Sequence, residues 1–201
     1  MIINQIFLCK GDVPDKVLEL SKINNKKARK QGFDYTLWTK KNLYPAISQE
    51  DRERLRSIKV LPAAADFARI LVLDLNEGLY IDLDNWLDIK LEYRKKNLIS
   101  VLQNGTGFIT NAILKLPRDA IDLYLSKIRK VIDERHHGDA RIIGAIPLRQ
   151  TLRQLNFEYE IVAMPGGVEN LPKAWDTSGN SQWPGVLNIF EGAKSMKEEL
   201  G

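Results

Sequence analysis

The sequence predicts an α/β fold, a single domain with a mainly parallel central sheet and helices on both faces. Two observations carry this prediction. Short apolar runs rich in β-branched residues alternate along the chain with longer helical patterns, as they do in repeated strand–helix units. The chain has 201 residues, 44% hydrophobic and 28% charged, which is enough for one buried core and too apolar for a disordered chain.

The strands and helices follow in chain order from these patterns. Apolar runs predict strands over Ile2–Leu8, Tyr35–Trp38, Leu79–Leu83, Leu98–Leu102, Gly107–Ile113 and Phe157–Met164. Helical patterns and their start and stop residues predict helices over 12–30, 48–58, 62–75 and 118–134, and another that opens at Pro147. The run Pro165–Gly185, rich in Gly, Pro, Ser and Asn, predicts a long loop that we expect to act as a lid.

Composition and charge exclude several classes of protein. No stretch reaches roughly 18 apolar residues and the amino terminus lacks a signal-peptide pattern, so we expect a cytoplasmic protein without membrane insertion. Cys9 is the only cysteine, which excludes a disulfide framework. The formal charge of +4 is a mild surplus. The basic run 22–30 lacks interleaved aromatic residues and suits a helix carboxyl end, so we expect no nucleic-acid partner.

The helix predicted over 62–75 is apolar nearly all round, which is typical of a buried helix. It nevertheless carries Asp66 and Arg69, which lie on one face because they are three residues apart. Buried charges need partners or a polar cleft. The two side chains therefore either form an ion pair with each other alone or line a polar cleft. The sequence does not decide between these two interpretations.

An acidic segment follows this helix. Residues 70–89 contain five acidic residues and no Lys or Arg, although the chain as a whole is basic. Asp82 and Asp84 share one face of the predicted strand with Tyr80, while Ile81 and Leu83 are expected to face the core. Two carboxylates this close repel each other unless a cation or hydrogen-bond donors lie between them. Their oxygens, at the carboxyl end of a strand, suit Mn²⁺ or Mg²⁺.

These residues fall into a larger pattern. Residues 65–71 read A-D-F-A-R-I-L and residues 78–84 read G-L-Y-I-D-L-D. Together they resemble the DXD sugar-binding region of small GT-A glycosyltransferases, whose pattern is A-x-x-D-x-x-R followed by G-G-x-Y-x-D-x-D. That group includes yeast-type α-mannosyltransferases, capsular polysaccharide transferases and the catalytic domains of clostridial glucosylating toxins. Glu77 replaces the first glycine of the pattern.

The amino-terminal residues carry the resemblance further. Residues 3–8 are similar to the family's I-H-Q-I-W-L, with Asn4 in place of His and Phe7 in place of Trp, and residues 35–38 match Y-x-L-W. The resemblance covers residues 2–90 well. It implies one GT-A (Rossmann-like) domain over 1–201, with a nucleotide-sugar-binding half over 1–90 and an acceptor half over 91–201 that ends in the lid.

The resemblance also implies a function. It predicts a metal-dependent hexosyltransferase that uses Mn²⁺ or Mg²⁺ and a nucleotide-diphosphate sugar, with a UDP-sugar favoured and GDP-mannose possible. The acceptor would be a glycan or another hydroxyl compound, and the anomeric configuration would be retained. No general base is expected.

Individual roles are implied in the same way. Asp84 would bind the metal, and Asp82 would contact the ribose or sugar and reach the metal through water. Asp66 and Arg69 would hold sugar hydroxyls, so these four residues form the expected catalytic set. The other expected substrate contacts are Gln5, Phe7 near the base, Tyr80, Asn111 and Trp183. Ser181 is the expected third metal ligand.

Other interpretations remain open. A haloacid-dehalogenase-like phosphatase also uses D-x-D at a strand end, although normally in its first strand. A catalytically degenerate module that binds sugar nucleotides is a third possibility. His136 and His137, near Asp139, could form a metal cluster, but adjacent histidines face one ion poorly and a solvated helix end is the better interpretation.

Overall fold

The computed structural model describes residues 1–9, 11–83, 85–87, 97–103, 108–134, 143–155, 157–165 and 186–188. The strands are β1 (Ile2–Ile6), β2 (Asp34–Trp38), β3 (Gly78–Ile81), β4 (Asn85–Leu87), β5 (Asn97–Gln103), β6 (Phe108–Lys115), β7 (Tyr159–Pro165) and β8 (Val186–Asn188). The helices are α1 (Asp15–Lys30), α2 (Lys40–Ala46), α3 (Gln49–Ser57), α4 (Leu61–Leu75), α5 (Arg118–Asp133) and α6 (Ala145–Gln154).

Six strands form the central sheet, in the order β2-β1-β3-β6-β5-β7. Strand β1 pairs in parallel with β2 and β3, and β5 pairs in parallel with β7. Only β6 runs against its neighbours β3 and β5. The predicted α/β fold with a mainly parallel sheet is therefore confirmed. Strands β4 and β8 form a separate antiparallel pair that was not predicted, because three-residue strands are too short to show an alternating pattern.

Helices cover both faces of this sheet, as predicted. Ile6 and Leu8 belong to the larger core, which lies under α4 and α5. Phe7, between them in sequence, belongs to a second cluster with Val17 and Leu20 of α1. Side chains of a strand alternate between faces, so this one run of residues contributes to both cores.

The prediction for the faces of β3 was wrong in one respect. Ile81 and Leu83 were expected to face the core and Tyr80 the open side. Tyr80 is instead only 2% exposed and belongs to the larger core, whereas Leu83 packs in the α1 cluster. Parallel strands buried on both faces do not separate a core side from a solvent side, so alternation alone could not identify the more buried face.

Several helix ends lie where the sequence predicts them. Ser48 caps α3, because its Oγ accepts a hydrogen bond from the Asp51 backbone N–H at 3.1 Å. Gly32 follows α1 with a φ of 72°, a conformation that favours glycine. Helix α2 was missed, since it is short and contains Pro45, which sequence rules treat as a helix breaker. None of the helices that the structure describes is long and apolar enough to cross a membrane.

Candidate functional site

Helix α4 carries the centre of the site. It packs against β1, β3 and α5, and its alanine-rich first half allows close approach to the sheet. Asp66 and Arg69 lie on the face of α4 that meets the end of β3 and the middle of β6. The structure thereby brings them together with Asp82, directly after β3, and Asn111 of β6.

Arg69 contacts each of the other members of this cluster. Its Nη2 lies 3.2 Å from Asp66 Oδ1 and 3.2 Å from Asp82 Oδ1, and its Nη1 donates to Asn111 Oδ1. The guanidinium also stacks over the Tyr80 ring, 5.0 Å from its centroid. Burial lowers the pKa of Arg69, but the neighbouring Asp82, Tyr80 and Asp66 raise it more, so the net shift is upward. Arg69 is therefore a permanent cation, although it is only 6% exposed.

Asp66 is held between Arg69 and Asn111. Its Oδ1 accepts a hydrogen bond from Asn111 Nδ2 at 3.0 Å, and its side chain is 13% exposed. Burial raises the pKa of Asp66 to about 6, and the favourable interactions with Arg69 and Asn111 offset only part of this rise. The cluster thus holds one guanidinium between two carboxylates and carries an excess negative charge when both are ionised.

Asp82 is the most open member of the cluster, with 27% of its side chain exposed. Its Oδ1 accepts a hydrogen bond from the Tyr80 hydroxyl at 2.6 Å. Burial, followed by the charge of Asp82, raises the pKa of Tyr80 well above its ordinary value, so Tyr80 remains a neutral donor. Tyr80 was expected to contact substrate, and in this structure it supports Asp82 and Arg69 from inside the core.

Two further predicted substrate contacts, Gln5 and Phe7, are buried. Gln5 Nε2 donates to the backbone carbonyl of Asp82 at 3.2 Å, and its Oε1 accepts from Asn24 and Tyr35, each at 2.8 Å. Gln5 therefore anchors the backbone at the end of β3 to β1 and α1. Phe7 packs in the α1 cluster and is 5% exposed. Direct contact of either residue with a substrate stays a prediction.

Other predicted residues lie outside the described part of the chain. These are Asp84, Ser181, Trp183, the 136–139 histidine segment and nearly all of the predicted lid. Among the described residues, no three His, Cys, Asp or Glu side chains converge where they could hold a metal ion. Asp82 is the one predicted ligand that the structure describes, and its partly exposed carboxylate is a hard oxygen donor of the type that Mn²⁺ and Mg²⁺ take.

A cleft of about 480 Å³ opens beside the start of α4 and was not predicted from the sequence. It is lined by residues of four regions: Leu8, Cys9, Lys40, Tyr44, Leu55, Arg56, Ile58, Lys59, Leu61 and Ala64. Three of these are cations, and Arg56 lies over the Tyr44 ring, 5.6 Å from its centroid. Cys9 is half-buried at this cleft. Only the tertiary fold assembles a lining from such distant segments.

The comparisons with known proteins rest on structure alone. No protein-family profile matches the chain, and no curated protein matches it in sequence. A solved structure described as the PaToxG glycosyltransferase superimposes with a TM-score of 0.57 at 16% identity, covering 76% of this chain and 67% of that one. A glycosyltransferase involved in glycosylation of the major capsid of PBCV-1 aligns over 98% of both chains, with a TM-score of 0.48 and 12% identity. The chain is therefore similar in fold to a solved glycosyltransferase, and it shares that mixed α/β architecture.

Proposed function

We propose that this protein is a metal-dependent glycosyltransferase that moves a hexose from a nucleotide-diphosphate sugar to a glycan or another hydroxyl acceptor. One observation carries the proposal: the buried Arg69 guanidinium is shared by two partly exposed carboxylates, Asp66 and Asp82, at the end of β3. Ligands of open α/β sheets bind at this edge, beyond the carboxyl ends of the strands. The fold of a solved glycosyltransferase supports the same conclusion.

The cluster suits a sugar because it offers both acceptors and donors in a rigid frame. The carboxylates of Asp66 and Asp82 accept hydrogen bonds from hydroxyls, while Arg69 and Asn111 can donate. Charged partners strengthen such bonds. We assign Asp66, Arg69 and Asn111 to the donor sugar and Asp82 to the sugar or ribose.

The neighbouring cleft suits the nucleotide. Its volume of about 480 Å³ is in the range of small-molecule sites, and its apolar wall accommodates a base or ribose. Lys40, Arg56 and Lys59 favour an anionic ligand such as a diphosphate. The cleft is lined in part by the first turn of α4, the same helix that carries Asp66 and Arg69. The proposal places one ligand across the cleft and the cluster. A UDP-sugar is the favoured donor, with GDP-mannose as the alternative.

The metal belongs to the same proposal. Asp84 would bind Mn²⁺ or Mg²⁺, with Asp82 reaching it through water and Ser181 completing the protein ligands. The bound ion would supply a charge that neutralises the departing diphosphate. The excess negative charge of the Asp66–Asp82 pair supports a cation here. We name no general base, in keeping with transfer that retains configuration.

The phosphatase alternative is not favoured by the topology. The D-x-D segment follows β3, which lies between β1 and β6, rather than the first strand of the chain. A degenerate binding module would keep the nucleotide site and lack turnover, so a turnover measurement separates it from the proposed enzyme.

The test combines binding with one substitution. Thermal shift and calorimetry with UDP, GDP, UDP-glucose and GDP-mannose, with and without Mn²⁺, should show stabilisation by one nucleotide series that depends on Mn²⁺. Asp84→Asn should abolish that dependence and leave the fold intact. Asp74→Asn is the matched control, since Asp74 lies in the same acidic segment but pairs with Arg118. Undiminished Mn²⁺-dependent binding by Asp84→Asn would overturn the metal assignment. Binding without sugar release would identify the degenerate module.

A further inference from the structure

The backbone at the amino end of α6 lies directly against the cluster formed by Asp66, Arg69, Asp82 and Asn111. Its N-cap residue, Gly144, has no side chain to separate the two. A Cβ at Gly144 would lie 2.2 Å from Asp66 Oδ2 and 2.9 Å from Asn111 Nδ2. Real Cβ atoms do not approach other atoms this closely, so any larger residue at position 144 would displace the Asp66 carboxylate or the Asn111 amide. Its φ of −96° is open to any residue. The requirement for glycine is therefore one of space: the backbone of α6 packs directly on two polar side chains of the candidate site.

Tyr124 of α5 holds this backbone in place. It is fully buried, and its hydroxyl donates to the Gly144 carbonyl at 2.8 Å. Because a carbonyl only accepts, the hydroxyl proton must point to Gly144. The Tyr124 oxygen then faces Asn111 Nδ2 as an acceptor, at a longer distance of 3.5 Å. Burial raises the pKa of Tyr124, so the hydroxyl keeps its proton at neutral pH.

The direction of these bonds determines the direction of the next ones. With its amide nitrogen toward Tyr124 and Asp66, Asn111 must present its oxygen to Arg69, and Arg69 Nη1 donates to that oxygen. A chain of oriented groups thus runs from Gly144 through Tyr124 and Asn111 to Arg69. Every member is buried, so water does not readily substitute for a missing link.

We propose that Tyr124 and Gly144 are positioning residues for the donor sugar, which set the orientation of Asn111 and the place of the Asp66 carboxylate. This inference rests on the proposed function. It means that α5 and α6 help to determine how the sugar of the donor is recognised, although both helices lie in the region 91–201 that was assigned to the acceptor. It also predicts that the two residues act on the sugar and leave the nucleotide cleft unchanged, since the cleft lining lies in residues 8–64.

The experiment measures sugar preference rather than overall affinity. Calorimetry with Mn²⁺ gives the dissociation constants of UDP and UDP-glucose, and of GDP and GDP-mannose, and the ratio within each pair reports the sugar contacts. Gly144→Ala and Tyr124→Phe should reduce that preference about tenfold or more, because small displacements of positioned groups are costly. Their affinity for the nucleoside diphosphate alone should remain close to that of the wild type.

Thr151→Val is the matched control. It removes a buried hydroxyl from α6, where Thr151 Oγ1 donates to the Pro147 carbonyl at 2.9 Å, without touching the cluster. It should lower stability slightly and leave the sugar preference unchanged. Tyr124→Phe keeps the inference testable if Gly144→Ala fails to fold.

Two outcomes would overturn the positioning role, and they differ from failure of the proposed function. Unchanged sugar preference in Tyr124→Phe would show that Tyr124 does not act through Asn111. Equal loss of affinity for the nucleoside diphosphate and its sugar conjugate would show a merely structural effect. If the wild type itself binds none of the four nucleotides, the proposed function fails and this inference fails with it.

Discussion

Two clusters of arginine and aspartate, each centred on a buried side chain, use the same residue types in opposite arrangements. In the candidate site, the guanidinium of Arg69 lies between two carboxylates. In the second cluster, which joins α3 to α5, the carboxylate of Asp51 lies between two guanidiniums. The comparison contrasts a cluster whose charges balance with one whose charges do not.

In the Asp51 cluster the charged side chains pair with one another and their charges balance. Asp51 Oδ1 accepts from Arg54 Nη1 and Arg129 Nε, each at 3.0 Å, and its Oδ2 accepts from Arg129 Nη2 at 2.6 Å. Arg54 in turn donates to both oxygens of Asp133, at 2.8 and 2.9 Å. Burial raises the pKa of Asp51, but the bonds from Arg129 and Arg54 lower it more, and the net shift is downward. Two cations and two anions balance, which leaves no charge for a ligand to satisfy.

The cluster around Arg69 differs in its charge balance, in its pKa shift and in its hydrogen bonding. It has one cation for two anions, and the net shift in the pKa of Asp66 is upward because burial outweighs the interactions with Arg69 and Asn111. Arg69 Nε has no hydrogen-bond partner among the described residues. Structural ion pairs also shift pKa values, but a buried cluster with unbalanced charges and a raised carboxyl pKa is a candidate functional site. The difference lies in the ratio of charges and not in the burial of the central residue, since Asp51 and Arg69 are both nearly inaccessible.

The largest expected effect comes from Arg69→Ala. The substitution leaves two neighbouring carboxylates without their cation, and removal of one partner of a buried ion pair costs on the order of 3 kcal/mol of stability. Under the proposed function, sugar transfer should fall far more than affinity for the nucleoside diphosphate. Donor turnover, calorimetry and urea unfolding measure the three quantities. Normal turnover by this variant would leave only the structural role.

Asp51→Asn should show the reverse profile. It removes the charge that two guanidiniums share, so we expect a loss of about 2 kcal/mol in the free energy of unfolding and unchanged nucleotide binding. Asp133→Ala is the control within the same cluster. Its side chain is 53% exposed, so the expected loss is only about 0.5 kcal/mol. Weaker nucleotide binding by Asp51→Asn, with stability unchanged, would contradict the division between the clusters.

The smallest effect is the pH dependence of Asp66. Because the pKa of Asp66 is raised to about 6 in the folded state, the folded protein binds more protons than the unfolded chain between about pH 4 and 6. The contribution of Asp66 to stability is therefore greatest at low pH and is lost as the pH rises through 6. Without ligand, Asp66→Asn should gain about 1 kcal/mol relative to the wild type between pH 5 and 7.5. Urea unfolding at both pH values measures this, and a relative loss would show that Arg69 dominates.

Part of the candidate site could be predicted from local geometry. A helix places residues three apart on one face, so Asp66 and Arg69 had to lie together once α4 formed. Alternation along a strand likewise placed Tyr80 beside Asp82. The resemblance to a family predicted Asn111 but not its partners, because Asn111 is 42 residues from Arg69 in sequence. The cation-lined cleft and the role of Gly144 had no local signal.

The sequence by itself determined the order of most strands and helices, their caps and the α/β class. These depend on hydrogen bonds and steric limits within a few residues, as at Ser48 and Gly32. The tertiary structure decided the strand order and the reversal of β6, and the register that pairs Ile81 with Ile113 brings Asn111 to the cluster. It also decided that both faces of β3 are buried. Such long-range pairings are selected by packing over the whole sheet, and no short segment encodes them.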